Sequence, residues 1–514
     1  MTAVPHQTFN MAQYCIGRAA EGRPDHPALI VVKDPKAKQP AENWDYRELQ
    51  SAILRIAAAL KKLGLQPGAR ILIRLENTST YALLFYGAIA GGYVPLPTST
   101  QLTDTDVRFM LTDSGAELMA CCESMSLDGI PNGVRILSTG DVERMMRGPE
   151  QADYTATKPD DPAFLIYTSG TTANPKGVLH AQRSCLGRRP MYQGWYGLTP
   201  QDRMLHAGAF NWTFTLGTGL TDPWANGATS IVYTGEKDPA LWPHLIRETG
   251  ATLFAAVPAL YRQILKYATP TRAGIGQLRH GLMAGETPPP GLFEHWQDAT
   301  GLPLYEALGM SEISTYISTG PDCPRKPGTV GRPQPGRRIA ILPLEDGDEP
   351  LARESEGLIA VHRSDPGLML RYWNRPDEER AVMRGDWFVG GDLGRIDEQG
   401  YVTHLGRAND IMKALGYRVA PQEVEAVIAQ CPGVADVACA EIKVRQDVSV
   451  IGAFIVKTPN TPVNADNIRQ FAEARLAVYK WPKEIVFVDA LPRTPNGKLK
   501  RANLQALTYS LTQT

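Results

Sequence analysis

Between Tyr167 and Gly177 the chain gathers an unusual set of side chains: Tyr167-Thr168-Ser169-Gly170-Thr171-Thr172-Ala173-Asn174-Pro175-Lys176-Gly177. The hydroxyls of Thr168, Ser169, Thr171 and Thr172 can donate hydrogen bonds to phosphate oxygens. Lys176 adds a point charge, and Gly170 and Gly177 let backbone N–H groups come close to an anion. That chemistry suits a polyphosphate. It is not the Walker A loop, which needs Gly-Lys followed by Ser or Thr, because Pro175 precedes Lys176 and Gly177 follows it. Ser, Thr, Gly and Asn-Pro are also ordinary turn residues, so composition alone leaves a plain polar loop open.

Three further stretches carry chemistry. Gly385-Asp386-Trp387-Phe388-Val389-Gly390-Gly391-Asp392-Leu393-Gly394 reads as two turns framing an aromatic strand, and Gly400 to Arg407 as its hairpin partner. In Leu491-Pro492-Arg493-Thr494-Pro495-Asn496-Gly497-Lys498, Asn-Gly is a tight-turn signal that places Lys498 at an exposed tip. A solvated surface lysine is the plain alternative there. No Ser-His-Asp constellation and no Cys-x-x-Cys pair is visible.

The elements that must position these residues follow from periodicity. Ala163 to Tyr167 is a short apolar strand leading into the first stretch. Tyr46, Leu49, Ile53, Ile56, Ala57 and Leu60 recur at helical spacing and predict a helix over 45–63, stopped by Gly64 and Pro67-Gly68. A strand from Arg70 to Leu75, a helix from Tyr81 to Ala90 and a strand from Tyr93 to Leu96 continue an alternation that lasts to about residue 260. Alternation of this kind argues largely parallel sheets. From about 320 glycine, proline and short strands dominate and predict a small β-rich subdomain. Beyond 410, Pro421 stands at a first helical position ahead of Val424, Val427 and Ile428. Strands at 450–456 and 485–488 and a helix through Ile468, Phe471, Ala472, Arg475 and Leu476 complete a separate α+β core.

The chain as a whole sets limits. Its 514 residues exceed what one core usually holds. With 43% apolar and 21% charged residues and a net charge of −1, it has no broad field for nucleic acid or an anionic membrane. Seven cysteines, an odd number without metal-site spacing, suit free thiols in a reducing compartment. No signal peptide is indicated, and the apolar stretch from Tyr81 to Leu96 is too short and interrupted to span a bilayer. A cytoplasmic enzyme is expected.

Taken in order, the 167–177 stretch, the Gly385–Asp392 turn, the Gly406-Arg407 segment and the Pro-Asn-Gly-Lys tip resemble the adenylate-forming superfamily: acyl-CoA synthetases, peptide-synthetase adenylation domains and luciferases. The resemblance spans about residues 45 to 500. It implies an α/β fold with a large N-terminal domain of stacked αβ layers and a small β-rich subdomain (1–408), and a small mobile α+β C-terminal domain (409–514). It implies that Thr168, Ser169, Gly170, Thr171, Thr172 and Lys176 hold ATP phosphates. Ala284, Gly285 and Glu286 would line the adenine site, and Leu308, Gly309 and Met310 the neighbouring nucleotide wall. Ser311 would sit beside the α-phosphate, and Glu312 would help hold Mg²⁺. Asp392 would take the ribose hydroxyls, with Arg407 also on the nucleotide. Lys498 would enter to promote adenylation. Gly416, Tyr417 and Arg418 match the segment bordering the coenzyme A tunnel. Asn409 stands at the hinge position, where the family typically has Asp or Lys, and Asp410 beside it would share that role.

The reaction so implied is attack of a carboxylate on the α-phosphorus of ATP, release of pyrophosphate, and attack of the coenzyme A thiol on the acyl-adenylate. Leu308, where many members have Tyr, and Phe214-x-Leu216-Gly217-x-Gly219-Leu220-Thr221-x-Pro223 are similar to the benzoate-CoA ligase group. An aromatic or small carboxylic acid is therefore expected, in a pocket drawn from His206, Ala209, Phe210, Asn211, Trp212, Gly217 and Val257, with Met310. The same aromatics read equally well as core. Asn211 replaces the Asp that holds an ammonium in amino-acid-activating relatives, so an α-amino acid would lose its ion pair. A short-, branched- or medium-chain fatty acyl-CoA synthetase, or an adenylation enzyme serving a carrier-protein thiol, remains an alternative; a non-catalytic nucleotide-binding protein is the remote one. The partners implied are the acid, ATP and coenzyme A, without nucleic acid or membrane insertion, and a homodimer is left open.

Overall fold

The computed structural model describes residues 7–37, 39–168, 175–410, 412–414, 417–445, 448–459, 461–493, 499–504 and 507. The chain divides into two compact units. The first comprises Met1–Gly285, Phe293–Arg338 and Val361–Asp386; the second comprises Glu286–Leu292, Ile339–Ala360 and Trp387–Thr514.

In the first unit the helical spacing resolves into the helix Tyr46–Lys62. Asp45 and Glu48 close a capping box at its start, and Lys61 and Lys62 lie in its last turn, where cations meet the negative end of the helix dipole. Its buried face packs on the helix Ser79–Ala90, which is buried all round. A helix enclosed on every side has no amphipathic stripe.

A nine-stranded sheet runs in the order Arg332–Pro333, Ser314–Ser318, Leu304–Met310, His280–Ala284, Leu253–Ala256, Arg203–His206, Thr229–Tyr233, Pro27–Val32, Glu42–Asp45. Its inner pairs are parallel, and antiparallel strands finish both edges. The strands Val94–Pro97, Arg70–Arg74, Leu118–Cys121 and Arg135–Ser138 make a second sheet, parallel throughout. The parallel architecture expected from helix–strand alternation is present and extends past residue 260.

The strand leading into the 167–177 stretch departs from that rule. Pro162–Thr168 pairs antiparallel with Lys176–Ala181, Thr168 opposite Lys176 and Tyr167 opposite Gly177. Arg371–Tyr372 adds a third strand to the far side of Lys176–Ala181. The two ends of the hydroxyl-rich loop are thus neighbours on one ladder.

Ile339–Leu342, Glu356–His362, Trp387–Ile396 and Val402–Arg407, with Met383–Arg384 as a fifth strand, form the small β-rich sheet, most of it in the second unit. Residues 320–338, which carry the first of the turn signals, belong instead to the first unit. The strands Val434–Arg445, Val448–Lys457 and Glu484–Phe487 form a further sheet. Helices Pro421–Ile428 and Ala465–Glu473 cover it, with Val424, Ile428, Ile451, Ile455, Ile468 and Ala472 in the core between them. Pro421 occupies the first helical turn, where its missing N–H costs nothing. Arg475 and Leu476 fall beyond the second helix, which stops at Glu473. Among the described residues no helix is long and apolar enough to cross a membrane.

Candidate active site

In the first unit His206, Ala284 and Leu308 to Met310 end parallel strands, where ligands bind in open α/β sheets, whereas Thr168 and Lys176 lie on the antiparallel ladder. Lys176 opens its strand with its ammonium 5.6 Å from the centre of the Tyr372 ring, in an ion pair with Glu378. The Tyr372 hydroxyl donates to Glu312 Oε1 at 2.7 Å. One aromatic side chain therefore ties the lysine of the loop to the carboxylate that follows Met310-Ser311. Backbone bonds reinforce it: Trp373 N donates to Gly177 O at 2.7 Å and Met369 N to Glu312 O at 2.7 Å. Thr168 is the last residue of its strand. Ser169, Gly170, Thr171 and Thr172 lie outside the described residues.

Leu308, Gly309 and Met310 end the strand Leu304–Met310, with an irregularity in its pairing between Leu308 and Gly309. Glycine is required here, because a Cβ at 309 would stand 2.7 Å from the Ser314 carbonyl oxygen and 2.8 Å from Thr315 Cα. Ser311 follows, and its carbonyl accepts from His180 Nε2 at 2.8 Å. His180 stacks on Phe164 at 4.6 Å, and burial pushes its pKa down to about 4. It is a neutral imidazole with its proton on Nε2, aimed at the peptide beside Glu312.

His206, at the end of Arg203–His206, is likewise pushed by burial, to about 3. Its Nδ1 accepts from Gly208 N at 2.9 Å. Phe214 meets His206 edge-on at 4.5 Å and Trp212 edge-on at 5.5 Å. Trp212 lies against Gly285: a Cβ there would be 2.5 Å from indole Cη2, and Gly285 has φ +100°. His206, Phe214, Trp212, Gly285 and, one residue before it, Ala284 thus form one group. The other candidates are placed differently. Phe210 is 2% exposed and packs on Tyr81 at 5.7 Å, and Ala209 and Asn211 flank it partly exposed. Val257 precedes the helix Pro258–Tyr267 as its cap. Glu286 begins the segment Glu286–Leu292 of the second unit.

Gly217 lies in the π-helix Thr215–Thr221, a form enriched at functional sites. A side chain at 217 would fall on the Arg188 guanidinium. Arg188 is buried and grips Asp222 with two bonds, Nε to Oδ1 and a second nitrogen to Oδ2, each 2.7 Å, and also donates to Ser314 Oγ. Tyr196 donates its hydroxyl to the same carboxylate at 2.7 Å. A bidentate pair of this kind pins the π-helix to the helical turn that carries Arg188.

In the second unit Asp392 and Arg407 are paired residues on adjacent antiparallel strands. Arg407 Nε lies 3.1 Å and His404 Nε2 3.0 Å from Asp392 Oδ1, and the Asp392 side chain is 4% exposed. Two cationic or hydrogen-bonding groups on one oxygen fix the rotamer of the carboxylate. Gly391 and Gly406 beside them have φ of +84° and +104°, the left-handed region that favours glycine. Asn409 and Asp410 belong to the 3₁₀ turn Ala408–Asp410, and Arg501 Nε approaches Asp410 Oδ2 at 3.7 Å. Tyr417 and Arg418 lie on the strand Tyr417–Val419, paired with Met412–Ala414. Gly416 and Lys498 are outside the described residues. Arg493 and Leu499, which bracket Lys498, pair as an antiparallel bridge.

Tyr372, Glu378, His180, Arg188, Asp222 and His404 were not among the residues marked by motif. The run Arg371-Tyr372-Trp373-Asn374-Arg375-Pro376, an aromatic pair ahead of an N-terminal helix proline, was a local signal for one of them, Tyr372.

The buried histidines have a consequence for stability. His180, His206 and His280 are held below the ordinary 6.5 by burial, at about 4, 3 and 4. The folded chain keeps them neutral while the unfolded chain takes up protons below 6.5. Their contribution is present above that value and is lost as pH falls through it toward 4. Glu306, which burial raises to about 7, works the other way, losing stability as pH rises through 7. Unfolding titrations at several pH values are expected to show the His180→Gln variant shallower than the parent near pH 5 by about one proton. Equal slopes would mean that His180 titrates normally.

Known proteins resemble this chain over most of its length. The chain is 30% identical to the benzoate–CoA ligase of Thauera aromatica, with 91% of each chain covered. It is 28% identical to the 3-hydroxybenzoate–CoA ligase of Aromatoleum sp. (strain CIB), with 97% of each covered. The ATP-bound structure of MatB from Rhodopseudomonas palustris superposes with a TM-score of 0.89 at 27% identity, over 98% of this chain and all of that one. Residues 16–373 match the AMP-binding enzyme family and residues 423–498 the AMP-binding enzyme C-terminal domain, so the chain belongs to the AMP-binding enzymes.

Proposed function

We propose that the protein is an AMP-forming carboxylate–CoA ligase whose acid is a compact aromatic carboxylate of the benzoate kind. The observation that carries the nucleotide half is the Tyr372 bridge, which has the Lys176 ammonium over its ring and Glu312 on its hydroxyl. A cation for the β- and γ-phosphates and a carboxylate for a metal are needed together wherever ATP is cleaved at its α-phosphorus. The aromatic half rests on the edge of the Trp212 indole lying against Gly285, with Phe214 and His206 behind it, and on the benzoate and hydroxybenzoate ligases among its relatives.

On this reading the acid's carboxylate oxygen attacks the α-phosphorus and pyrophosphate leaves. The coenzyme A sulfur then attacks the acyl carbon, and AMP leaves. Thr168, Lys176 and the hydroxyls of 169–172 hold the polyphosphate, and Ser311 stands beside the α-phosphate. Ala284, Gly285 and Leu308 to Met310 border the nucleotide, Asp392 and Arg407 take its ribose, and Lys498 promotes the first step. Residues 416–418 border the thiol's path, and Asn409 and Asp410 serve as the hinge between domains at 1–408 and 409–514. Mg²⁺ fits the residues present. Glu312 offers a carboxylate with Oε1 fixed by Tyr372, and among the described residues there is no cluster of three or more metal-ligating groups. A magnesium ion held by one carboxylate plus substrate phosphates needs no such cluster. When bound it neutralises phosphate charge. An odd number of cysteines, seven, without metal-site spacing suits the cytoplasm.

Pyrophosphate release measured with coenzyme A across benzoates, short and branched acids and medium-chain acids tests the substrate. Benzoates are expected to give the highest kcat/KM, and preference for an aliphatic acid would replace the aromatic reading. In the same assay Trp212→Ala is expected to lower kcat/KM for benzoates by about tenfold, the cost of one aromatic contact with its buried area. Short aliphatic acids should change less. An equal loss for both acid classes would remove Trp212 from acid selection.

A further inference from the structure

Lys176 already holds an anion. Glu378, in the first turn of the helix Pro376–Val382, makes an ion pair with its ammonium, and both side chains are partly covered, 22% exposed for the lysine and 32% for the glutamate. A second cation stands behind Glu378: Arg375 Nε is 4.0 Å from Glu378 Oε1. Arg375 is itself fixed, donating to Asp113 Oδ1 at 2.8 Å, while Tyr167 donates to Asp113 Oδ2 at 2.7 Å. The Asp113 carbonyl receives Trp373 Nε1 and Asn374 Nδ2, each at 3.0 Å. Asn374 takes φ +53° to turn the chain there. The segment bearing Glu378 is thus anchored to the end of the helix Asp104–Ser114 and to the strand before the loop.

A carboxylate and a polyphosphate competing for one ammonium repel each other at close range. Lys176 cannot serve the phosphates at full strength while Glu378 stays, and Glu378 need not stay, because Arg375 is within reach. We propose that Glu378 is a positioning residue for the phosphate loop: its carboxylate keeps the Lys176 ammonium in place until a polyphosphate displaces it toward Arg375. The inference rests on the reading of 168–176 as the site of the ATP phosphates. Nucleotide binding is then an exchange of partners. Lys176 trades a carboxylate for a phosphate, and Glu378 trades an ammonium for a guanidinium.

The test uses inorganic tripolyphosphate as the probe, titrated calorimetrically into the full-length protein, with ATP kinetics alongside. Glu378→Gln keeps the shape and removes the competing charge. It is expected to tighten tripolyphosphate binding by about three- to tenfold, the size of a partly exposed ion pair. The KM for ATP should fall by a similar factor while kcat does not rise, because the ammonium is less well placed. A variant that merely loosened the fold would move affinity in the opposite direction. Binding that is unchanged or weaker in Glu378→Gln overturns the inference. In a Lys176→Met background the gain should vanish, and a gain of undiminished size would show simple charge repulsion in place of exchange. Lys176→Met alone is expected to weaken tripolyphosphate at least about tenfold. If it does not, the phosphate site itself is misread, an outcome distinct from failure of the exchange.

Discussion

Replacing Lys498 by alanine is expected to slow acyl-adenylate formation by about 10²- to 10³-fold while ATP still binds. The charge that develops during the first step sits on oxygens of the α-phosphate as the carboxylate closes in and pyrophosphate departs. A lysine aimed at that place stabilises the transition state more than the bound substrates, which is why its loss falls on kcat. The measurement is single-turnover formation of acyl-AMP in the absence of coenzyme A, with ATP affinity determined separately. Thioester formation from synthetic acyl-AMP should be spared, because on the proposed two-domain reading Lys498 enters for adenylation and is withdrawn when the thiol attacks. Unchanged adenylation in the variant would remove Lys498 from the mechanism, and equal loss in both steps would make it a structural residue.

The second large effect is expected at Asp392. Its carboxylate is buried and held at one oxygen by Arg407 and His404, an arrangement that fixes its direction before a ligand arrives. Two ribose hydroxyls donating to a carboxylate make charge-assisted bonds of about 1.5–3 kcal/mol each. Asp392→Asn keeps the volume, discards the charge and turns one acceptor into a donor facing a cation. AMP affinity is expected to fall by about 100-fold, read by calorimetry. Comparison with 2′,3′-dideoxy-ATP separates the causes. The parent should lose affinity on removal of the hydroxyls and the variant should lose little more. If both proteins discriminate equally, Asp392 does not read the ribose.

The two residues illustrate what sequence can and cannot reveal. The strand carrying Asp392 was legible because a stretch between two glycine-rich turns, followed at hairpin distance by Gly406-Arg407, is a local pattern; the part assigned to Asp392 came from the family resemblance. The pairing of Asp392 with Arg407 then follows from register. His404, three residues earlier on the partner strand, was equally close but carried no motif. The helix Tyr46–Lys62 and the proline-led helix at Pro421 were legible because spacing and capping are local properties.

Distant partners were not. Glu378 lies 202 positions beyond Lys176 and Arg188 lies 34 before Asp222, and nothing in either segment names the other. The antiparallel course of the strands around the loop was hidden for a different reason. Hairpins announce themselves by tight turns, and the stretch between Thr168 and Lys176 is too long to look like one. The π-helix at Thr215–Thr221 has no established sequence signal. The motif resemblance placed Gly217 near the acid pocket, and a side chain there would fall on the Arg188 guanidinium.

That glycine also shapes how the protein can diversify. Because a side chain at 217 would strike Arg188, any descendant that keeps the Arg188–Asp222 clamp inherits glycine at 217 as well, and the three positions drift as one. On the proposed reading of the acid pocket, changes in acid preference are channelled toward Trp212 and Phe214, which can be exchanged without touching the clamp. A library randomised at 212 and 214 should yield many folded enzymes with altered substrate profiles; one randomised at 217 should yield mostly glycine among the survivors.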